Sequence, residues 1–377
     1  MMRKVKRNIL LNPGPATTTD TVKYAQVVPD ICPREDEFSQ IMNFVSTELT
    51  SLVADTEQYS TVLFGGSGTA AVESILSSVM NDGVIVIINN GAYGKRMCEI
   101  AEAYQLDWVE FISAADQPIQ LESLHSFIQA FPRTVSYLAV VHNETTTGLL
   151  NDIESIGAIC KEKGIELMVD AMSSFAAIPI QMNRMNISYL AASSNKNLQG
   201  MAGVSFVVAK KSNLEKEKLE KPSNYYLNLY AQYKHFTETG QMRFTPPVQT
   251  IYALKQAILE VKEEGVKERY ERYSKCWESL ITGLSRLGLR HLVPADHHSK
   301  IITAIVEPTC KKYDFNSMHD YFYANGITIY PGKLNHFNSF RVANIGDLTN
   351  DDIEIFLTLL EKYLHSIGYQ STDGIDG

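Results

Sequence analysis

Three short segments of the chain carry residues that could do chemistry. The first is a glycine-rich turn at residues 64–70, in which Ser67 and Thr69 flank Gly68. Such a turn lets backbone N–H groups and hydroxyls surround an anion, although many turns of this kind bind nothing. The turn lacks the Lys-Ser/Thr ending of a nucleotide-binding loop and the spacing Gly-x-Gly-x-x-Gly. ATP and NAD are therefore disfavoured as ligands.

The other two segments each place one ionisable residue after a predicted strand. Asp170 ends an apolar strand, and in an open α/β sheet this end faces the ligand crevice. The alternative for Asp170 is a helix N-cap. Lys196 lies among small polar residues, an unusual setting for the alternative, a solvated surface lysine. Pyridoxal 5′-phosphate would use all three segments, because its phosphate needs an anion site, its ring nitrogen a carboxylate and its aldehyde a lysine.

The composition disfavours several classes of protein. Of the 377 residues, 45% are hydrophobic and 20% charged, as in ordinary globular proteins. The net charge of −9 has the wrong sign for a nucleic-acid partner. No apolar run approaches the length of a membrane-spanning helix, and the short run at residues 9–11 is too small for an export signal. The five cysteines form no Cys-x-x-Cys pair, so neither a disulfide framework nor a metal site is predicted, and a cytoplasmic location is expected.

Between about residues 36 and 210, short β-branched runs alternate with helix-like stretches, which is typical of a mostly parallel sheet with crossover helices. The predicted strands are residues 60–64, 84–88, 108–111, 137–141, 166–169, 189–192 and 204–208. The predicted helices are residues 48–53, 70–80, 97–104, 121–131 and 153–163. One long helix is predicted from residue 247 through the charged run 262–272. A small α+β unit follows, with strands at 301–306, 327–330 and 340–342 and helices at 314–324 and 351–367.

Along nearly its whole length, the chain resembles the class V, fold-type I aminotransferases, which depend on pyridoxal 5′-phosphate. The resemblance rests on segments that occur in the family's order: residues 11–15, 66–73, 90–97, 141–148, 169–175, 194–196, 243–247 and 330–333, followed by Phe340 and Arg341. It implies an α/β fold with a large cofactor-binding domain at residues 31–265, built on a mostly parallel seven-stranded sheet. A small C-terminal α+β domain at residues 266–377 and an N-terminal segment, residues 1–30, that packs on it would complete the chain. The family also implies a homodimer with shared active sites.

The resemblance assigns roles to residues around the cofactor ring. Lys196 would bind the cofactor aldehyde covalently and carry the proton, with its pKa lowered by burial and by the ring. Asp170 would pair with the ring N–H. Tyr93 would stack on the ring and Thr145 would hydrogen-bond its phenolic oxygen. Without the resemblance, Tyr93 would be interpreted as a core tyrosine and Thr145 as a turn residue.

Further residues are assigned to the two anionic groups. Ser67, Gly68 and Thr69 would hold the cofactor phosphate, together with Thr245 of the partner subunit. Arg341 would bind the carboxylate of pyruvate or alanine and the phosphonate of the amine substrate in turn, because a guanidinium fork suits both anions. As a lone arginine on a strand, Arg341 would instead be interpreted as an exposed charge.

The branch of the family that acts on aminophosphonates shows the greatest resemblance. It implies transfer of the amino group of 2-aminoethylphosphonate to pyruvate, giving phosphonoacetaldehyde and L-alanine. An alanine–glyoxylate or serine–pyruvate aminotransferase is the alternative in the same fold, and residues 144–148 and 170–174 favour the phosphonate branch. A non-enzymatic protein of this fold is disfavoured, since Lys196, Asp170 and Arg341 are all present in order. Asn143 and residues 246–250 depart from the usual pattern and could tune substrate or phosphate contacts.

Overall fold

The computed structural model describes residues 4–78, 83–218, 223–332 and 338–370. Lys333, which ends one of the resembling segments, and Met80, the predicted end of a helix, lie outside these ranges. The helices are α1 (Asp20–Tyr24), α2 (Asp36–Ser51), α3 (Gly68–Ser78), α4 (Ala92–Ala103), α5 (Leu121–Ala130), α6 (Ile153–Lys163), α7 (Lys211–Glu217), α8 (Leu229–Thr239), α9 (Val248–Glu264), α10 (Val266–Arg286), α11 (Phe315–Ala324) and α12 (Asn350–Ser366), with a short 3₁₀ turn at Ala295–His297. The strands are β1 (Ile9–Leu10), β2 (Tyr59–Gly65), β3 (Val84–Asn89), β4 (Trp108–Ile112), β5 (Val135–Val141), β6 (Asn143–Glu144), β7 (Leu149–Leu150), β8 (Glu166–Asp170), β9 (Ile187–Ser193), β10 (Val204–Lys210), β11 (Ile302–Val306), β12 (Ile327–Thr328), β13 (Tyr330–Pro331) and β14 (Ser339–Ala343).

A seven-stranded sheet with the order β2-β10-β9-β8-β5-β3-β4 forms the centre of the fold. Strand β10 is antiparallel to both of its neighbours, and the other neighbouring strands are parallel. Each of the seven strands predicted for this region lies in the sheet, so the predicted mostly parallel α/β fold is confirmed. The carboxyl ends of β2, β3, β5, β8 and β9 consequently meet at one edge of the sheet.

Helices cover both faces of this sheet, which explains why its strands are apolar on both sides. In β3, Val86 and Ile88 pack into the core under α2, α5, α6 and α9. The alternating residues Ile85 and Ile87 pack into a second core under α3 and α4. The two cores hold the central strands rigidly, and the loops at their carboxyl ends start from fixed positions.

The C-terminal part of the chain forms a second, smaller layer. Its antiparallel sheet has the order β11-β14-β13 and packs with α10, α11 and α12 around an apolar core. The start of the chain joins this layer, because β1 pairs with β12 and the buried Leu11 contributes to its core. Arg7 also donates to both carboxylate oxygens of Asp352, at 2.6 and 2.8 Å. Among the helices of the described ranges, none combines the length and the apolar character needed to cross a membrane.

Three predicted helices differ from the structure by five residues or more. The helix predicted at residues 97–104 is α4, which begins five residues earlier, at Ala92. The helix predicted at residues 48–53 is the end of α2, which begins at Asp36. Phe38, Val45 and Leu49 lie on one buried face that runs along the whole of this longer helix. The prediction of one helix from 247 through 272 is wrong. Helix α9 ends at Glu264, and Gly265 adopts φ +88°, a conformation outside the helical region, before α10 begins.

Arg269 joins this helix junction to the loop between β9 and β10. Its side chain is 2% exposed, and it donates to Glu264 at 2.6 Å and to the carbonyl of Asn197 at 2.5 Å. We expect Arg269→Met to lower the free energy of unfolding by about 2 kcal/mol, because it leaves the buried carbonyl of Asn197 without this donor. Glu264 keeps one partner, since Arg272 also donates to it at 2.7 Å. Lys267→Met, on the exposed side of α10, serves as the control and should change it by no more than about 0.5 kcal/mol. Urea unfolding measures the stability of both variants. Equal losses in the free energy of unfolding would contradict a structural role for the buried guanidinium.

Candidate active site

A cavity of about 480 Å³ opens at the carboxyl ends of the parallel strands. Its lining includes the predicted residues Ser67, Gly68, Thr69, Tyr93, Asp170 and Lys196. Gly14, Arg96 and Met172 also contribute to the lining. Among the residues that the structure describes, the lining does not include the other three predicted residues, Thr145, Thr245 and Arg341.

Lys196 follows β9 and reaches the cavity from the loop between β9 and β10. Its Nζ donates to Ser173 Oγ at 3.2 Å, and Ser173 Oγ lies 2.7 Å from Thr145 Oγ1. Thr145 is thus linked to the lysine through one hydroxyl. The N-terminal segment covers the lysine from the other side, because Gly14 lies against its side chain and Ala16 N–H donates to the carbonyl of Asn195 at 2.9 Å.

Asp170 is the last residue of β8, near the middle of the sheet. Its Oδ1 accepts the backbone N–H of Met172 at 2.9 Å, and its own carbonyl accepts the N–H of His142 at 2.9 Å. Burial raises the pKa of the Asp170 carboxyl, while that N–H and the charges of Lys196 and Arg96 act in the opposite direction. Positive charge in the cavity therefore favours the ionised form of this carboxyl group.

The glycine-rich turn leads from β2 into α3, as its position after a predicted strand indicated. Gly66 N–H donates to the carbonyl of Gly203 at 2.9 Å, which fixes the turn against β10. Gly68 begins α3, and a Cβ at this position would lie 2.5 Å from the sulfur of Met172. The first N–H groups of α3 and the hydroxyls of Ser67 and Thr69 provide the donors that an anion requires.

Tyr93 lies in the first turn of α4 and is surrounded by cations. The Cζ of Arg96 lies 4.9 Å from the centre of its ring, and Lys196 Nζ lies 5.7 Å from it. Burial raises the pKa of the Tyr93 phenol, so the ring stays neutral at physiological pH. An aromatic ring that borders the cavity offers a flat surface to a planar ligand.

Arg341 extends from β14 of the small layer to the large one. Its Nε donates to the carbonyl of Pro331 at 2.9 Å, and one terminal nitrogen donates to the carbonyl of Thr145 at 3.2 Å. Within the described part of the chain, the other terminal nitrogen is buried and has no hydrogen-bond partner. Burial lowers the pKa of this guanidinium, while the electrostatic influence of the nearby Tyr93, Tyr330 and Glu144 acts in the opposite direction. A desolvated guanidinium with an unused donor is a strong site for an anion.

Thr245 is exposed in its own chain, in the loop before α9. The surrounding loop carries an aromatic cluster, in which Tyr226 stacks on Phe244 with ring centres 5.1 Å apart. Arg243 packs over Phe244, and Tyr225 is 75% exposed. The Tyr226 hydroxyl donates to the carbonyl of Gly65 at 3.3 Å, which places this cluster beside the glycine-rich turn.

Sequence reasoning assigned no role to three residues of this region: Arg96, Glu144 and Ser173. Arg96 follows Tyr93 by three residues in α4, so helical spacing within residues 90–97 was a usable signal. Ser173 and Glu144 lie in the resembling segments 169–175 and 141–148. Their roles depend on contacts with residues distant in the sequence, and spacing alone carried no signal for them.

Comparison with known proteins agrees with the fold and the site. The family model described as aminotransferase class-V matches residues 20–335. The chain is 36% identical to the 2-aminoethylphosphonate–pyruvate transaminase of Vibrio vulnificus strain CMCP6 over 362 residues, which cover 95% of this chain and 98% of that protein. It is 37% identical over 361 residues to the enzyme of the same name from Salmonella typhimurium strain LT2, again with 95% and 98% coverage.

Solved structures of aminotransferases are also similar. An alanine–glyoxylate aminotransferase from Nostoc sp. superposes with a TM-score of 0.89 at 25% identity, covering 96% of both chains. A pyridoxamine–pyruvate aminotransferase from Mesorhizobium loti superposes with a TM-score of 0.87 at 19% identity, covering 97% of this chain and 95% of that chain. The second likeness shows the fold alone. The family model and the full-length relatives together show that this chain belongs to the class V aminotransferases.

Proposed function

We propose that this protein transfers the amino group of 2-aminoethylphosphonate to pyruvate, giving phosphonoacetaldehyde and L-alanine. One observation carries the proposal: a single cavity brings together an amine at Lys196, a carboxylate at Asp170 and an anion-binding turn at the start of α3. The names of the full-length relatives supply the substrate pair. The protein would act with pyridoxal 5′-phosphate, in two half-reactions that alternate between the two substrates.

The residues of the cavity fit this cofactor. A positive neighbour favours the ionised form of the buried Asp170, and the protonated ring nitrogen of the cofactor would be such a neighbour. Gly68 lets the turn pack closely on Met172, since a Cβ at this position would lie 2.5 Å from the Met172 sulfur. This packing fixes the start of α3, where backbone N–H groups would bind the phosphate. Lys196 Nζ lies 5.7 Å from the centre of the Tyr93 ring, so a planar ring bound to the amine has an aromatic surface beside it.

When bound, the cofactor supplies an electron sink that makes the carbon bearing the substrate amino group acidic. The chain's own residues position and move the proton. Lys196 Nζ would take the proton from that carbon, and Ser173 Oγ, which accepts from this amine at 3.2 Å, would hold it in position. Asp170 would keep the ring nitrogen protonated, and Tyr93 and Thr145 would orient the ring. Gly14, lying against the lysine, excludes water from this side.

We propose that Arg341 binds the anionic group of each substrate. Its unpartnered terminal nitrogen is buried, where a hydrogen bond to phosphonate or carboxylate is stronger than in water. The same guanidinium serves both half-reactions because its fork fits both anions. Its second terminal nitrogen donates to the carbonyl of Thr145, whose hydroxyl contacts Ser173, the partner of Lys196. The turn that contains Thr145 therefore supports both the anion site and the lysine.

We further propose a homodimer in which Thr245 of the partner subunit completes the phosphate site. Support comes from the exposure of Thr245 in its own chain and from the neighbouring aromatic cluster, in which Tyr225 and Tyr226 are exposed and Phe244 is half-buried. Large exposed apolar patches commonly mark interfaces.

The domain division proposed is residues 31–265 and 266–377, with residues 1–30 packed on the small domain. The pairing of β1 with β12 supports this packing. A cytoplasmic location remains our expectation.

The proposed reaction is tested with purified, cofactor-loaded protein and no keto acid. We expect 2-aminoethylphosphonate alone to bleach the yellow colour and pyruvate to restore it, because each half-reaction runs without the other substrate. Absorbance in the visible range follows both steps, with alanine and serine as parallel amine donors. If only alanine or serine bleached the colour, the phosphonate assignment would be wrong, and an alanine–glyoxylate or serine–pyruvate aminotransferase would replace it.

The same assay includes Arg341→Lys as a variant and Arg286→Lys as its control. Lysine keeps the charge and loses the fork, so the half-saturating concentration of 2-aminoethylphosphonate should rise by about tenfold or more in Arg341→Lys. Arg286 is 61% exposed at the end of α10, and its substitution should have no effect on this constant.

Sharing of the active site is tested by mixing two defective variants, Lys196→Ala and Thr245→Val. Neither homodimer should be active at limiting cofactor, since one lacks the lysine and the other a phosphate ligand. If Thr245 acts across the interface, subunit exchange creates one site with both groups intact, and activity returns. The measurement is transaminase activity after mixing at low denaturant. Absence of recovery, with mixed dimers shown by native mass spectrometry, would place Thr245 outside the partner's site.

A further inference from the structure

A buried carboxylate that the proposed reaction does not use lies beside the cavity. Glu144, in β6, has no exposed surface. Its Oε2 accepts the backbone N–H of Tyr93 at 3.2 Å and that of Gly94 at 3.4 Å, both in the first turn of α4. Its Oε1 accepts the backbone N–H of Thr146 at 3.2 Å and the hydroxyl of the same residue. Burial raises the pKa of Glu144, and these donors oppose the rise.

The four hydrogen bonds join two segments that carry proposed site residues. Tyr93 lies in the helical turn that Glu144 caps, where N–H groups have no acceptor within the helix and favour a negative charge. Thr145 lies between Glu144 and Thr146, so the second pair of bonds fixes its backbone. Thr145 in turn contacts Ser173 through its hydroxyl at 2.7 Å and accepts Arg341 through its carbonyl at 3.2 Å.

We propose that Glu144 is a positioning residue that holds Tyr93 and Thr145 in a fixed relation, and through Thr145 the guanidinium of Arg341. The contact with the cofactor ring and the site for the substrate anion then depend on one carboxylate. The part of this inference that concerns the substrate rests on the proposed function. One carboxylate oxygen of Glu144 accepts hydrogen bonds from the start of α4 and the other accepts them from Thr146. A displacement of the turn at residues 144–146 therefore displaces the start of α4 as well.

The test is Glu144→Gln, which keeps the size of the side chain and replaces one acceptor oxygen by an NH₂ group. This group cannot accept hydrogen bonds from the N–H groups that it faces. We expect the dissociation constant of pyridoxal 5′-phosphate to rise by about tenfold, because small displacements of positioning groups have effects of this size or larger. The visible circular dichroism of the bound cofactor should decrease, since Tyr93 no longer lies in its fixed position. The half-saturating concentration of 2-aminoethylphosphonate should rise by a larger factor than the maximal half-reaction rate falls.

Glu110→Gln is the matched control. Glu110 lies in β4, accepts from Asn89 at 2.6 Å and contacts Cys98 of α4. Its substitution by glutamine therefore removes one negative charge near α4, as Glu144→Gln does. It should leave the cofactor constant and the dichroism unchanged. If Glu144→Gln does not fold, Thr146→Val removes one of the four donors and should shift the same quantities in the same direction by less.

Two results would overturn the inference. One is a folded Glu144→Gln protein, or a folded Thr146→Val protein where the first does not fold, whose cofactor constant and dichroism equal those of the unsubstituted protein. The other is a change in melting temperature with no change in these two quantities, which would make Glu144 a purely structural residue. Both readouts are independent of the amine donor. Failure of the unsubstituted protein to react with 2-aminoethylphosphonate would therefore contradict the proposed function. The cofactor constant and the dichroism would still decide whether Glu144 is a positioning residue.

Discussion

The candidate active site is organised around a carboxylate that is buried at the end of a central strand. Asp170 is 7% exposed, accepts the N–H of Met172 and lies in a strand with parallel neighbours on both sides. Burying an ionised carboxylate is costly unless positive charge lies close to it. The chain supplies that charge from Lys196 and Arg96, which approach from β9 and α4. The cationic ring of the proposed cofactor would add to this compensation, so its binding and the ionisation of Asp170 would favour one another.

The parallel sheet makes this arrangement possible, because it ends six strands at the same edge. Five of these ends contribute one part each: the proposed anion-binding turn after β2, Tyr93 after β3, Thr145 after β5, Asp170 at β8 and Lys196 after β9. The small layer adds Arg341, whose bond to the carbonyl of Thr145 links β14 to the turn after β5. Arg269 performs a similar task at the back of the site, where it holds the carbonyl of Asn197 beside the lysine. The site therefore depends on both layers being folded and packed together.

Much of this arrangement could be predicted from the sequence, because β-branched runs mark the strands and chemistry-bearing residues follow their ends. Asp170 and Lys196 were identifiable by type and position. The roles of Tyr93, Thr145, Thr245 and Arg341 came from family resemblance, since each of these residue types is common in structural positions. Glu144 and Ser173 could not be identified, because their partners in α4 and after β9 are brought to them only by the tertiary fold. The break at Gly265 was also missed, since the charged pattern continues through it while the backbone conformation changes.

The claim that Lys196 carries the cofactor can be tested directly by chemical trapping. The cofactor-loaded protein is reduced with borohydride, which fixes pyridoxal phosphate to the amine that holds it, and the digested peptides are mapped by mass spectrometry. We expect the added mass on the peptide that contains Lys196, and its loss from that peptide in Lys196→Ala. Added mass on a different lysine of the unsubstituted protein, or a reduced protein with no modified peptide, would contradict the role of Lys196 as the residue that binds the cofactor.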